Sequence, residues 1–338
     1  ADDHFNTVLY TGNGSTQSIT GVGFQPDWVW IKERSSTSSH ALYDSSRGAL
    51  KQLESDGTGA ESTASSMLTS FDSDGFSVGS SGAINQSSET YVSWNWKANG
   101  GTTSSDSNGS ITSTVQANQT AGFSIVLYTG TGANATVGHG LGSAPRWIIM
   151  KRRDSAQNWV VYHEELGNDK EVLLNAVDPP TSSNSVYFNN TSPTSTVFSL
   201  GSDAYANASS GTYVAYCFAE VEGYSKFGSY FANNSSSNNA FVYTGFRPAF
   251  VLIKGIQSGL NQEWVIMDNK KSSSSGGNPI DSGSYPNYSN AEFTNSNDID
   301  FLGNGFKVRA TAGVGYYSGQ EYIYAAFAEA PFKYSNGR

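Results

Sequence analysis

One phrase recurs three times in this chain and limits what the chain can fold into. Gly, two residues, Pro, one residue, an aromatic, three apolar residues and Lys first appear as Gly23-Phe24-Gln25-Pro26-Asp27-Trp28-Val29-Trp30-Ile31-Lys32. The same order returns as Gly142-Ser143-Ala144-Pro145-Arg146-Trp147-Ile148-Ile149-Met150-Lys151 and as Gly245-Phe246-Arg247-Pro248-Ala249-Phe250-Val251-Leu252-Ile253-Lys254. The copies lie 119 and 103 residues apart. Self-similarity at a domain-sized period predicts one folding unit used three times, and such arrays commonly supply contact surface.

Other landmarks keep step with the phrase. An apolar run ending in a polar residue follows each copy: Ala41-Leu42-Tyr43-Asp44, Trp159-Val160-Val161-Tyr162-His163 and Trp264-Val265-Ile266-Met267-Asp268. From Pro to that polar residue the spacing is 18, 18 and 20. Closing strands are predicted at Tyr91 to Lys97, Tyr213 to Ala219 and Tyr322 to Ala328, and opening strands at Val8 to Gly12, Val126 to Gly130 and Phe227 to Tyr230. Alternation with β-branched and aromatic residues carries these assignments. Arg47 to Glu54 reads as a turn or two of helix ended by Gly57.

The sequence has 338 residues, enough for three units of ordinary domain size. Aromatics make up 13% and charged residues only 14%, and with 36 Gly the chain reads as short strands joined by tight turns. The fold class expected is all-β: three tandem β-sandwich modules of jelly-roll or lectin-like type, at 1–98, 122–223 and 224–338. Residues 99–121, rich in Gly, Ser, Thr and Asn, read as a linker whose second half, Ile111 to Val115, could add an edge strand. With no comparable spacer after it, copy two should move with copy three, and copy one should hinge against the pair.

Net charge is −10 and no basic cluster exceeds Lys151-Arg152-Arg153, which argues against nucleic acid as a partner. No apolar run reaches the ~18–20 residues of a membrane span. Cys217 stands alone among apolar neighbours, so no intrachain disulfide forms and a buried inert thiol is expected.

Candidates for chemistry are sparse. His4, His40, His139 and His163 show no metal-ligand spacing, and no nucleophile elbow or phosphate loop is present. His163-Glu164-Glu165 is the densest acidic candidate for glycoside hydrolysis, but the equivalent positions begin Asp44-Ser45-Ser46 and Asp268-Asn269-Lys270. A solvated loop is the simpler reading, with Asp44 and Asp268 capping the next turn. Asp72 and Asp74 before Gly75 resemble part of a calcium loop. Copy three has Leu302 and Asn304 there, so a hairpin turn is favoured. Neither catalytic residues, nor a metal site, nor a cofactor is expected. Trp94 and Trp96 share a strand face and read as core; were they exposed, they would form a platform for sugar rings.

Leu9-Tyr10-Thr11-Gly12-Asn13-Gly14-Ser15, Ser70-Phe71-Asp72-Ser73-Asp74-Gly75-Phe76, Trp94-Asn95-Trp96-Lys97-Ala98, Gly138-His139-Gly140-Leu141-Gly142, the stretch from Tyr213 to Tyr230 and that from Phe241 to Phe250 together resemble a repeat family found in virion proteins of marine tailed bacteriophages. The resemblance spans nearly the whole chain. It implies a tail fibre, tail-associated or capsid-surface structural protein, and the reading adopted is a non-enzymatic virion surface protein used for adhesion or decoration, binding bacterial surface glycan through loops at the sandwich ends or exposed aromatics. Implied partners are other virion proteins and further copies of this chain, as in a trimer; the resemblance brings no ligand residues. The rival reading is a carbohydrate-binding array from a secreted marine polysaccharide-degrading enzyme.

Overall fold

The computed structural model describes residues 4–182, 184–233, 239–257, 262–271, 277–309, 317 and 319–329. The fold is all-β, and each helix among the described residues is a single turn. None is long or apolar enough to cross a membrane. The end of the expected third module, 330–338, lies outside the described residues.

The three copies of the phrase build three equivalent antiparallel sheets. In module 1 the order is Phe5–Thr11, Thr90–Trp96, Trp28–Glu33, Ala41–Asp44. Module 2 repeats it with Phe123–Thr129, Thr212–Phe218, Trp147–Arg152 and Val160–His163, and module 3 with Ser225–Phe231, Glu321–Ala328, Pro248–Gly255 and Trp264–Asp268. The register is equivalent too, since Trp28 faces Trp96, Trp147 faces Phe218 and Phe250 faces Phe327.

A second layer covers one face of each sheet. Its strands are Gln17–Thr20, Gly75–Val78 and Leu68–Asp72 in module 1, then Ala135–Gly138 and Val197–Leu200 in module 2. Module 3 has Phe241–Tyr243, Gly305–Val308, Phe293–Leu302 and Ile280–Gly283. Each pair of layers encloses its own apolar cluster, built on Ile31 and Phe76, on Met150 and Phe198, and on Ile253 and Phe306 respectively.

The other faces of the three inner sheets meet in a fourth, shared core. Trp28, Trp30, Trp94 and Trp96 enter it from module 1, Trp147, Ile149, Tyr216 and Phe218 from module 2, and Phe250, Leu252 and Phe327 from module 3. Rings touch across every junction: Trp28 stacks on Tyr216 at 4.3 Å, Trp96 meets Phe250 edge-on at 5.5 Å, and Phe218 meets Phe327 at 5.6 Å. Sheets packed on both sides need apolar residues at every position, not alternate ones. Accordingly, Trp28–Glu33 and Pro248–Gly255 are buried at each residue.

This shared core removes the expected hinge between copy one and the rest. The module 1 sheet contributes four indoles to a cluster common to all three modules, and swinging it away would expose them to water. Residues 99–121 likewise form an ordered strap. Ser104–Asp106 and Ser113–Asn118 extend the module 2 sheet, the latter pairing with Phe123–Thr129. Buried Asp27 holds the start of the strap, accepting from the backbone N–H groups of Ala98, Gly100 and Gly101 at 2.8, 2.9 and 2.8 Å. The helix expected over Arg47 to Glu54 is instead a turn followed by the short strand Lys51–Gln52, paired with Ser62–Thr63. This segment becomes an arm that reaches module 2.

Hydrogen bonds run around the ring of modules in one direction at equivalent positions. Asp44 accepts from Tyr216 Oη at 2.7 Å, His163 Nε2 donates to the Tyr324 carbonyl at 3.1 Å, and Asp268 accepts from Trp94 Nε1 at 3.0 Å. A second set joins each module's long arm to the next. Trp159 Nε1 donates to the Glu54 carbonyl at 2.8 Å, Trp264 Nε1 to that of Leu173 at 2.9 Å, and His40 Nε2 to that of Tyr285 at 3.0 Å. Two junctions add a carboxylate shared between cations of neighbouring modules: Glu61 joins Arg47 and Arg153, and Glu292 joins Lys271 and Arg34.

Candidate functional site

The residues that could do chemistry are held in structural work. His40, His139 and His163 are buried, and each ring makes two fixed bonds. Their Nδ1 atoms accept from Trp30 Nε1, Leu141 N and Glu165 N, so their Nε2 atoms donate to the carbonyls of Tyr285, Thr194 and Tyr324. Burial lowers the pKa of all three, that of His163 to about 4, and keeps them neutral. Asp44 and Asp268 cap the turns after their strands, accepting from the N–H of Arg47 at 2.8 Å and of Lys270 at 3.0 Å. Cys217 is buried, and burial pushes its thiol pKa up.

The acidic candidates are dispersed. Glu164 and Glu220 flank one guanidinium, Arg146 Nη1, at 2.8 and 3.6 Å in a surface cleft of about 390 Å³. Glu165 points elsewhere and accepts from Ser229 Oγ at 3.1 Å. Asp72 accepts from Ser70 and Ser77 hydroxyls, while Asp74 clasps the backbone N–H groups of Gly21 and Gly23 at 3.1 and 2.7 Å. The pair therefore ties down a hairpin. Among the described residues no cluster of His, Cys, Asp and Glu could hold a metal ion.

All seven Trp are buried, so Trp94 and Trp96 belong to the core and make no platform. Exposed aromatic surface occurs where the repeat predicts none. On Phe241–Tyr243, Val242 points into the module 3 core, and Phe241 and Tyr243 point outward, 46% and 65% exposed. Alternation places both on the outer face of the second layer. A glycine floor holds the rings down. Phe241 Cζ lies 3.1 Å from where a Cβ on Gly305 would stand, and Tyr243 Oη lies 3.7 Å from the corresponding point of Gly245, with the nearest ring carbons at 3.9 Å. Exposed Leu302 faces Gly305 from the next strand.

The same positions differ in the other modules. Register equates Val242 with Ile19 and Val137, hence Phe241 with Ser18 and Thr136, and Tyr243 with Thr20 and Gly138. In module 1 the face is hydroxylated and internally bonded, with Ser18 and Ser77 hydroxyls 3.0 Å apart. In module 2 the strap covers it: Ser110 N donates to Thr136 Oγ1 at 2.9 Å, and the Asp106 carboxylate sits over Gly138 where no side chain could fit. Among the described residues, only in module 3 is the face both aromatic and open. A single pair of outward aromatics, Phe241 and Tyr243, was legible in the alternation of that strand; their exposure was not, because it depends on the strap's covering module 2 alone.

No curated protein and no solved structure matches the chain. A family model described as a domain of unknown function, DUF7483, matches residues 1–331 and so runs through all three modules; the chain belongs to that family.

Proposed function

We propose that this protein is a non-enzymatic component of a bacteriophage virion surface, a tail fibre or capsid decoration, that holds host-surface glycan on the outer face of module 3. The observation that carries the reading is the exposed Phe241–Tyr243 pair on its glycine floor. Flat rings fixed against a sheet suit the apolar faces of sugar rings, and they lose little entropy on binding because they are already positioned. Resemblance of the repeats to virion proteins supports the location, and the closed ring of modules suits a part that must transmit force without deforming. One chain already supplies the threefold body that a fibre trimer would supply, so the reading does not require further copies.

The test is binding of the purified chain to bacterial envelope polysaccharides, followed by the Phe241→Ala/Tyr243→Ala variant. At about 1 kcal/mol for each ring contact, the double variant binds roughly 30-fold more weakly with an unchanged melting temperature. Binding to no glycan, or undiminished binding by the variant, overturns the reading. Detection of the chain in purified particles separates the virion assignment from the rival array of a secreted enzyme, which would show the same sugar binding and be absent from particles.

A further inference from the structure

Resting on the glycan reading above, we infer that a second copy of this chain completes the module 3 platform. The two copies pair edge to edge along Phe241–Tyr243, so that one strip of four rings faces the ligand. The inference follows from the backbone of that strand, which lies at the edge of its sheet. Its inner side is used. The Ala240 carbonyl accepts from Val308 N at 2.9 Å, Val242 pairs with Phe306, and Thr244 N donates to the Asn304 carbonyl at 3.0 Å. Backbone groups alternate sides along a strand, so the N–H and C=O of Phe241 and Tyr243 point the other way, off the edge. Among the described residues nothing bonds to these four groups.

The equivalent edges are closed or polar. In module 2 the strap lies along the edge. Thr136 N donates to Ser110 Oγ at 2.9 Å, the Thr136 carbonyl accepts from Ile111 N at 3.0 Å, and the Gly138 carbonyl accepts from Ser113 Oγ at 2.8 Å. Thr136 and Gly138 are the counterparts of Phe241 and Tyr243, so the repeat already seats another segment at these atoms. In module 1 the outward residues of the edge are Ser18 and Thr20, a hydroxylated border that water satisfies. Module 3 presents Phe-Val-Tyr there, with no charge, Pro or register shift to block pairing, the devices by which sheet edges avoid association.

The edge is complementary to itself. A twofold axis beside Val242 sets Phe241 of one copy opposite Tyr243 of the other, twice, and each pair exchanges two backbone hydrogen bonds. Residues so paired stand about 5.5 Å apart at Cα, and the two pairs lie roughly 7 Å apart along the strand. All four rings share the outer face, as two aromatic pairs across the join. The two Lys307 residues end at least ~14 Å apart, three strand spacings, which exceeds the ~10 Å screening length at 0.1 M salt. Like charges therefore do not oppose the join. The threefold body closes within one chain, so the second copy serves this platform alone. Three residues make a short join, and a polysaccharide lying across both copies strengthens it by mass action.

Sedimentation velocity of the purified chain without glycan, from micromolar to millimolar concentration, should show a reversible monomer–dimer equilibrium. Tyr243→Pro removes an outward N–H and leaves the bonds to Gly305–Val308 in place, so it should abolish the dimer at an unchanged melting temperature; Tyr243→Phe should retain it. Register is read by disulfide trapping. Phe241→Cys mixed with Tyr243→Cys should cross-link on mild oxidation, and neither variant alone should, because 241 faces 243 within disulfide reach and the native Cys217 is buried. The polysaccharide found by the binding test above should bind at least tenfold more tightly above the dimer constant than below it. A monomer at every concentration, with and without that polysaccharide, overturns this inference and leaves the glycan reading standing. A dimer that survives Tyr243→Pro, or cross-linking by one variant alone as efficient as by the mixture, places the join elsewhere and overturns it too. Equal affinity above and below the dimer constant overturns the shared platform. A dimer through Phe241–Tyr243 that binds no glycan overturns the glycan reading, and the shared platform with it.

Discussion

At the scale of single residues, the repeat uses a few positions for buried polar contacts. The Lys that ends each phrase is fully buried, and two of the three reach into the neighbouring arm, Lys151 donating to the Thr58 carbonyl at 3.2 Å and Lys254 to the Val177 carbonyl at 2.9 Å. His163 is the position most open to test by pH. Burial holds its folded pKa at about 4, below the ordinary 6.5, so between those values the unfolded chain takes up a proton that the folded protein refuses. Stability contributed by this residue is full above pH 6.5 and is lost as pH falls to 4, in total ~3 kcal/mol at 1.36 kcal/mol per pKa unit. Denaturant titrations at pH 7 and pH 4 should show the wild type losing about that much more than His163→Gln. Equal losses would mean that the ring is solvated or protonated in the native state.

At the scale of elements, strand existence was legible and strand environment was only partly so. Opening, closing and phrase strands fall within a few residues of expectation because their β-branched and aromatic residues suit a pleated surface. Arg47 to Glu54 reads locally as a turn or two of helix. Pairing of Lys51–Gln52 with Ser62–Thr63 and packing of the arm against module 2 decide otherwise. The strand ends that close the ring offer a sharper test. Asp268 is fully buried between Lys271 at 3.4 Å and Trp94 Nε1. Asp268→Ala leaves the buried Lys271 ammonium with Glu292, at 3.5 Å, as its remaining carboxylate and strands the Trp94 indole N–H, and should cost about 3 kcal/mol in urea unfolding. Asp268→Asn keeps an acceptor for the indole and should cost less. A loss below 1 kcal/mol for the Ala variant would show that the junction is not a closed, dry contact.

At the scale of the whole molecule, the shared core makes three modules one cooperative body. Every module buries one sheet face against the other two, so no module can leave without exposing large aromatic surface. Calorimetry should therefore show one transition, with calorimetric and van't Hoff enthalpies equal. Trp28→Ala, which removes a ring stacked on Tyr216, should destabilise that single transition by about 3–5 kcal/mol. Residues 1–98 expressed alone should be unfolded or aggregated. A separate early transition for module 1, or an independently folded 1–98 fragment, would restore the hinged arrangement.

The sequence by itself determined the strands, their threefold repetition and the all-β class, since these follow from residue preferences and local alternation. It also held an unused clue to the closed ring: Trp28-Val29-Trp30-Ile31 is apolar at every position, and a strand with only one packed face would alternate. Tertiary structure alone decided which surfaces survive. Seven indoles vanished inward because three sheets converge, the strap covered one equivalent face, and a hydroxyl network occupied another. What remains open on module 3 among the described residues is set by contacts distant in sequence, which no local pattern encodes.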